Sequence, residues 1–296
     1  CDVITYEFEN VDVAAVQSLE SRLPCYPPSS ALATSQDRLV EKQFFNNLGI
    51  ATAPFRDVEN HEQIEQALAE LGGRAILKTR RFGYDGKGQL RLDASASDSI
   101  DEALDEASGM ASKTPCILEG FVNFKREISI IAARGQDGAV ACFDIVENVH
   151  RNGILFTSTV PANSDAGIIR HAHKIAEKVL PALEYVGVLA IEFFETDDGK
   201  LLVNEFAPRV HNSGHWTEAA CTISQFEQHI RAVAGVLLGN TGRHSNCVME
   251  NLIGDEILRA PEILKMENTL LHLYGKSETR EGRKMGHFTT IKPLQD

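Results

Sequence analysis

The sequence predicts an α+β fold, and three observations carry that expectation. Asp198-Gly199, the dipeptide favoured by two-residue type I′ turns, stands between two apolar runs and marks a β-hairpin. Alternating stretches at 127–133 and 139–146 read as strands of an antiparallel sheet. Residues 166–183 put Ile168, Ile169, Ala172, Ile175, Val179 and Leu183 on one face of a long amphipathic helix.

In chain order, the apolar run 3–8 has strand character and 11–23 reads as a short helix. Prolines 24, 27 and 28 suggest a linker between domains. A helix over 37–48 is stopped by Gly49, and one over 62–71 is opened by Asn60 and closed by Gly72-Gly73. Strand 75–79 leads into a glycine-rich loop, and strand character returns at 89–92. A helix over 99–107 and the apolar run 116–122 precede the two alternating strands. After the long helix and the hairpin, 217–238 reads as one helix, and strands near 270–274 and 286–291 flank a basic turn.

At 296 residues the chain can bury a full core, as one large domain or two modest ones. A net charge of −13 argues against nonspecific binding to nucleic acid or anionic membranes, so any phosphate ligand must find a local basic cluster. The six cysteines, at 1, 25, 116, 142, 221 and 247, show no metal-ligand spacing and read as reduced, mostly packed thiols. No apolar run approaches the roughly 18 residues of a membrane span, and no signal-peptide pattern is present. The expectation is a cytoplasmic protein. The chain starts at Cys1 and enters directly on a strand-like run, which suggests that an N-terminal portion precedes it.

The chemistry concentrates around the hairpin. A two-residue turn at Asp198-Gly199 sets Glu192 opposite Glu205, with opposed Cβ atoms roughly 4.5–5.5 Å apart. Two like charges so placed call for a neutralising partner, and Mg²⁺ suits paired carboxylates together with substrate phosphates. Solvated glutamates are the ordinary alternative, but the flanking apolar residues read as buried. The loop Gly83-Tyr-Asp-Gly-Lys-Gly88 would let backbone amides approach phosphate oxygens, although an ordinary hairpin loop has the same composition. Lys78, at the end of the preceding apolar strand, needs an anionic partner. Glu119 and Glu127 fit either a nucleoside-binding slot or an edge strand. Lys276, Arg280, Arg283 and Lys284 form the densest basic group, read as a phosphate clamp or a solvated turn.

The run Asn204-Glu-Phe-Ala-Pro-Arg-Val-His-Asn-Ser-Gly-His-Trp216, the loop Gly83-Tyr-Asp-Gly-Lys-Gly-Gln89 and the tail Tyr274-Gly-Lys with Gly282-Arg-Lys-Met-Gly-His287 closely resemble the N5-carboxyaminoimidazole ribonucleotide synthetases, the ATP-grasp carboxylases of purine biosynthesis. Tyr6-Glu-Phe-Glu-Asn10, Ser35-Gln-Asp-Arg38 and Ser224-Gln-Phe-Glu-Gln-His229 fit as well, so the likeness spans nearly the whole chain. It implies an ATP-grasp fold, two antiparallel α+β subdomains clasping ATP over 31–240. A remnant of an N-terminal α/β domain would occupy 1–30, and a small β-rich domain 241–296.

By the same resemblance, Arg38, Lys78, Gly83, Tyr84, Asp85, Gly86, Lys87, Gly88, Gln89, Glu119, Val122, Glu127, His150, Asn204 and Glu205 would line the ATP site. Glu192 and Glu205 would hold Mg²⁺. Arg209, His211 and Asn212 would face the reacting centre, and Tyr84, Asp85, Lys276 and Arg283 would meet the ribonucleotide. The implied substrates are ATP, bicarbonate and 5-aminoimidazole ribonucleotide, with carboxyphosphate as intermediate, and the family implies a homodimer. Ala207 stands where many ATP-grasp enzymes carry an asparagine metal ligand. The alternatives are a sibling ligase, such as the formate-dependent glycinamide ribonucleotide transformylase, and a noncatalytic nucleotide-binding module. Pro208-Arg-Val-His-Asn212 favours bicarbonate over formate chemistry.

Overall fold

Side-chain caps set many of the helix boundaries. Asp12 accepts from the Ala14 amide to open α1 (Val13–Glu20), and α2 (Ser29–Ser35) follows. Asp37 accepts from the Leu39 and Val40 amides to open α3 (Arg38–Asn47). Next come β1 (Phe55–Val58), α4 (His61–Glu70), β2 (Arg74–Thr79), β3 (Gln89–Asp93), α5 (Ile100–Ala111) and β4 (Cys116–Gly120). The middle of the chain forms β5 (Arg126–Arg134), β6 (Val140–Cys142), β7 (Val146–Arg151), β8 (Ile154–Val160), α6 (Ala166–Ala182), β9 (Gly187–Glu195) and β10 (Leu201–Ala207). The last part forms α7 (Thr217–Ala220), α8 (Gln225–Val233), β11 (Asn246–Ile253), α9 (Ala260–Ile263), β12 (Thr269–Leu273) and β13 (Lys284–Lys292). This computed structural model describes residues 1–83, 88–96 and 99–294.

Among the described residues the strands make two antiparallel sheets. The smaller has the order β1-β4-β2-β3, and its apolar face is covered by α4 and α5 through Ile64, Leu68, Leu104 and Ala107. The larger runs β10-β9-β5-β7-β8-β11-β13-β12, with β6 paired to β5. Its central strand β5 is apolar on both faces. Ile128, Ile130 and Ala132 pack with α6, whereas Ile131 and Ala133 join Trp216 and Phe143 on the other side. The α+β expectation is met. Residues 241–296 extend the larger sheet, since β11 pairs with β8 as well as with β13.

Several local expectations give way to tertiary structure. Run 3–8 forms no regular strand; Ile4 makes one parallel bridge to Cys25, which leaves too few partners for a ladder. The span 139–146 splits into β6 and the start of β7, and β8 and β11 are strands the sequence reading did not single out. The helix over 217–238 is two helices, because Ser224 caps a new one by accepting from the Glu227 amide. The buried face of α8 is Gln225, Gln228, His229, Ala232 and Val233, with Ile230 58% exposed. No helix among the described residues is long and apolar enough to cross a membrane.

The hairpin reaches its register by an unexpected route. Glu195 pairs with Leu201, Thr196 N donates to Lys200 O at 3.0 Å, and Gly199 has φ +75. This is a three-residue loop closed by a left-handed glycine rather than the two-residue turn the dipeptide suggested. A bulge between Val203 and Glu205 then shifts the ladder by one, and Glu205 falls opposite Glu192. Val203 consequently faces the core with Phe193, not the carboxylates.

Candidate active site

The β9–β10 hairpin forms one wall of a cleft of about 480 Å³ that also takes residues from β2, β5, β7 and β8. Glu192 is deep, its side chain 15% exposed, while Glu205 is 48% exposed. Burial, then the charge of Glu205, raises Glu192 to about 7. A pair strained in this way fits a divalent cation, and the donors available are hard carboxylate oxygens of the kind Mg²⁺ takes.

A buried ion triad lies behind the cleft. Lys78 Nζ is 2.9 Å and Lys42 Nζ 3.4 Å from the same Glu119 oxygen. Burial works to protonate Glu119, but Lys42 and Lys78 outweigh it and hold the carboxyl at about 2. The other oxygen, Oε1, is buried with no hydrogen-bond partner among the described residues. Lys42 also donates to Asn204 O at 3.0 Å, and its neighbour Glu41 accepts from Phe206 N at 2.7 Å, so α3 grips both sides of the bulge. Burial and the Glu205 charge raise Glu41 to about 8. Arg38 donates to Thr79 O and Gly83 O and lies 3.8 Å from Glu205.

On the opposite side, His211 Nε2 is 3.2 Å from Glu192, and its Nδ1 accepts from Ser213 N at 3.3 Å. That contact makes Nε2 the protonated nitrogen. Burial, reinforced by Arg209, holds the ring neutral. A buried polar chain continues behind it: Ser213 Oγ is 2.8 Å from Ser129, which accepts from Asn148 at 2.9 Å, and Ser158 donates to Asn148 at 2.8 Å. Asn212 exchanges two side-chain hydrogen bonds with Asn251. His150 meets Glu127 at 2.7 Å, and that bond moves the imidazole up in spite of its burial.

Arg209 lines the cleft but is not idle there. Nε and Nη2 bind Glu9 at 3.1 and 2.8 Å, and Nη1 donates to Val210 O at 2.9 Å. Among the described residues these contacts use three of the five guanidinium N–H groups and leave one on each terminal nitrogen for an oxyanion.

The structure brings Arg38, Lys78, Gly83, Gln89, Glu127, His150, Asn204, Glu205, Glu192, Arg209, His211 and Asn212 to one cleft. Glu119 sits behind Lys78, and Val122 and Gly88 are off the lining. Lys276 and Arg283 are not on it either; they bind Lys284 O and Glu278 O. Tyr84, Asp85, Gly86 and Lys87 lie outside the described residues. Sequence reasoning missed Glu9, Glu41, Lys42 and the stacked pair Phe124–Phe194, whose ring centroids are 4.7 Å apart, and it gave Lys284 no individual place in the cleft. Glu9 and Lys284 lie inside quoted motifs whose side chains were given no individual role, whereas the others have no local motif, although a lysine beside a glutamate on the buried side of α3 was a readable oddity.

Comparison with known proteins bears on the whole chain. A family model described as the ATP-grasp domain matches residues 43–226, the ribonucleotide synthetase preATP-grasp domain matches 1–36, and the phosphoribosylaminoimidazole carboxylase C-terminal domain matches 247–296. The chain is 61% identical over 293 residues to N5-carboxyaminoimidazole ribonucleotide synthase of Brucella melitensis, covering 99% of this chain and 80% of that protein. It is similar to the crystal structure of the synthetase from Thermus thermophilus, with TM-score 0.89 and 45% identity over 98% of this chain and 77% of the other. The Aspergillus clavatus synthase in complex with ADP and 5-aminoimidazole ribonucleotide matches with TM-score 0.90 and 30% identity, over 99% and 77% of the two chains.

Glu119→Gln is expected to lower the unfolding free energy at pH 7 by about 3–5 kcal/mol, because it leaves Lys42 and Lys78 buried without their counter-charge. The folded-state pKa is depressed below the ordinary 4.5, so the carboxylate's contribution is complete above that pH and is lost as pH falls toward 2. Urea unfolding of both proteins at pH 7 and at about pH 3 checks this. The penalty should shrink at the lower pH; an equal penalty at both would refute the triad.

Proposed function

The chain belongs to the N5-carboxyaminoimidazole ribonucleotide synthase family of ATP-grasp ligases, and from that premise we propose how its cleft divides the work of the reaction. The protein carboxylates 5-aminoimidazole ribonucleotide at the nitrogen, at the expense of ATP, in purine biosynthesis. The observation that carries the residue assignment is the convergence of Glu192, Glu205, Arg209 and His211 on one cleft that also holds Lys78 and Arg38.

In this reading ATP lies between the two sheets. Lys78 and Arg38 offset phosphate charge, and Glu119 behind Lys78 holds that ammonium group in place. Glu192 and Glu205 would hold Mg²⁺, which offsets charge on the transferring phosphoryl group when bound. The open fork of Arg209 holds bicarbonate, with Glu9 fixing the far edge of the guanidinium. Bicarbonate attack on the γ-phosphorus breaks its bond to the bridging oxygen, giving carboxyphosphate and ADP. The exocyclic amine then takes the carboxyl group, phosphate leaves, and the amine loses a proton. Neutral His211, with Nε2–H toward Glu192, orients oxygens at this centre. Lys276 and Arg283 serve the ribonucleotide phosphate, from a turn adjoining Lys284 on the cleft wall.

The same family premise supports a cytoplasmic homodimer. Ile230, Val236 and Leu237, exposed at 58, 53 and 75%, lie together in sequence on and after α8. Sedimentation at micromolar concentration should give twice the chain mass, and a monomer would overturn the dimer.

Arg209→Lys keeps the charge but loses the planar fork. Incorporation of labelled bicarbonate should fall by about ten- to a hundredfold, the equivalent of roughly 1.5–3 kcal/mol for a charged hydrogen bond, while ATP affinity stays near the parent value. Near-parent carboxylation would remove Arg209 from the bicarbonate site. A pH series tests the carboxylate pair. Because Glu192 is raised to about 7, cation binding must displace its proton below that pH. The apparent Mg²⁺ requirement should therefore relax by about tenfold per unit from pH 6 and level off above 7; a flat profile would contradict the pair as ligands.

A further inference from the structure

Outside the cleft lining, three potential ligand groups converge at the edge of the larger sheet. His272 on β12 and His287 on β13 are direct cross-strand partners, with ring centroids 4.8 Å apart and planes 11° from parallel. Glu218 on α7 reaches toward them, 3.9 Å from His272 Nδ1. One ligand atom from each of the three lies within 4.8 Å of the others.

His287 makes this more than proximity. It is 2% exposed, its Nδ1 lies 2.8 Å from the Tyr274 hydroxyl, and its Nε2 is buried with no hydrogen-bond partner among the described residues. A buried polar atom without a partner is costly and uncommon. Burial, with His215 and His272 adding to it, holds this ring at about 3, so the imidazole is neutral and has a lone pair to give.

We propose that Glu218, His272 and His287 form a binding site for a divalent transition-metal ion of the zinc class. Two imidazoles and one carboxylate are a ligand set for zinc, cobalt or nickel, whereas Mg²⁺ prefers oxygen donors. The Tyr274 hydroxyl holds Nδ1 of His287 as the second hydrogen bond of a metal-bound histidine commonly does, and the tautomer with its proton on Nδ1 presents the Nε2 lone pair to the ion. Tetrahedral ligands about 2.0–2.1 Å from zinc lie roughly 3.4 Å from one another. His272 and Glu218, with side chains 37% and 32% exposed, have the freedom to draw in to that spacing and to leave the fourth position to water. Tyr274 also hydrogen-bonds the Asn212 side chain. A bound ion would thus tie α7 and the outer strands to the turn that carries Asn212.

Calorimetric titration of the intact protein with Zn²⁺, in excess Mg²⁺ and a non-thiol reductant, tests the site, with Co²⁺ absorption as a second readout. The expected result is a zinc site of one equivalent, a visible Co²⁺ band, and a melting temperature raised by Zn²⁺. His272→Ala and Glu218→Gln, both at partly exposed positions, should each weaken Zn²⁺ binding by at least about tenfold and remove the thermal shift, without changing the melting temperature of the zinc-free protein appreciably. Absence of a zinc site, or the same zinc affinity in the parent and both variants, overturns the proposal.

Discussion

Glu119 holds a negative charge between two buried lysines, and the placement of the cleft follows from that contact. Lys78 brings β2 to it, Glu119 brings β4, and Lys42 brings α3 from outside the smaller sheet. Lys42 is shared with the larger sheet through the Asn204 carbonyl, so one ammonium group fastens the two sheets to each other. A buried charge that loses its partner costs far more than the pair contributes. The triad therefore acts chiefly by making other arrangements of the two sheets expensive.

The same helix fixes the carboxylate pair. Glu41 and Lys42 hold the backbone on either side of the bulge, and the bulge decides which face Glu205 occupies. Behind Glu192, the chain from His211 through Ser213, Ser129 and Asn148 to Ser158 is hydrogen-bonded at each link. Satisfied buried networks specify one arrangement, whereas partly satisfied ones admit several. His211 thus inherits its orientation from buried side chains on β5, β7 and β8 that are not themselves on the cleft lining.

Much of this was legible in the sequence wherever the signal was local. Capping and stop residues located α3 and α4 to within a few residues, the apolar stripe located α6, and the motif around Asn204 to Trp216 marked the cleft wall. The failures have a common cause. Run 3–8 has strand composition but too few partners, Ser224 interrupts a helix that periodicity would continue, and α8 buries Gln225 and Gln228 because their amides bind the chain rather than water. Glu9, Lys42 and Ser129 reach Arg209, Glu119 and Ser213 across 200, 77 and 84 positions, and no window of sequence contains such a pair. The opposition of Glu192 and Glu205 was anticipated from a turn the chain does not use, and the bulge made the pairing right.

That bulge has a consequence for how the protein can change. The ladder of β9 with β5 and the grip of α3 set the carboxylates from the far end of the hairpin. The loop at 197–199 only has to close the strands. Its length and composition are therefore insulated from the chemistry, which makes it a place where lineages can drift, a peptide can be grafted, or the chain can be opened for circular permutation while the reacting centre keeps its shape.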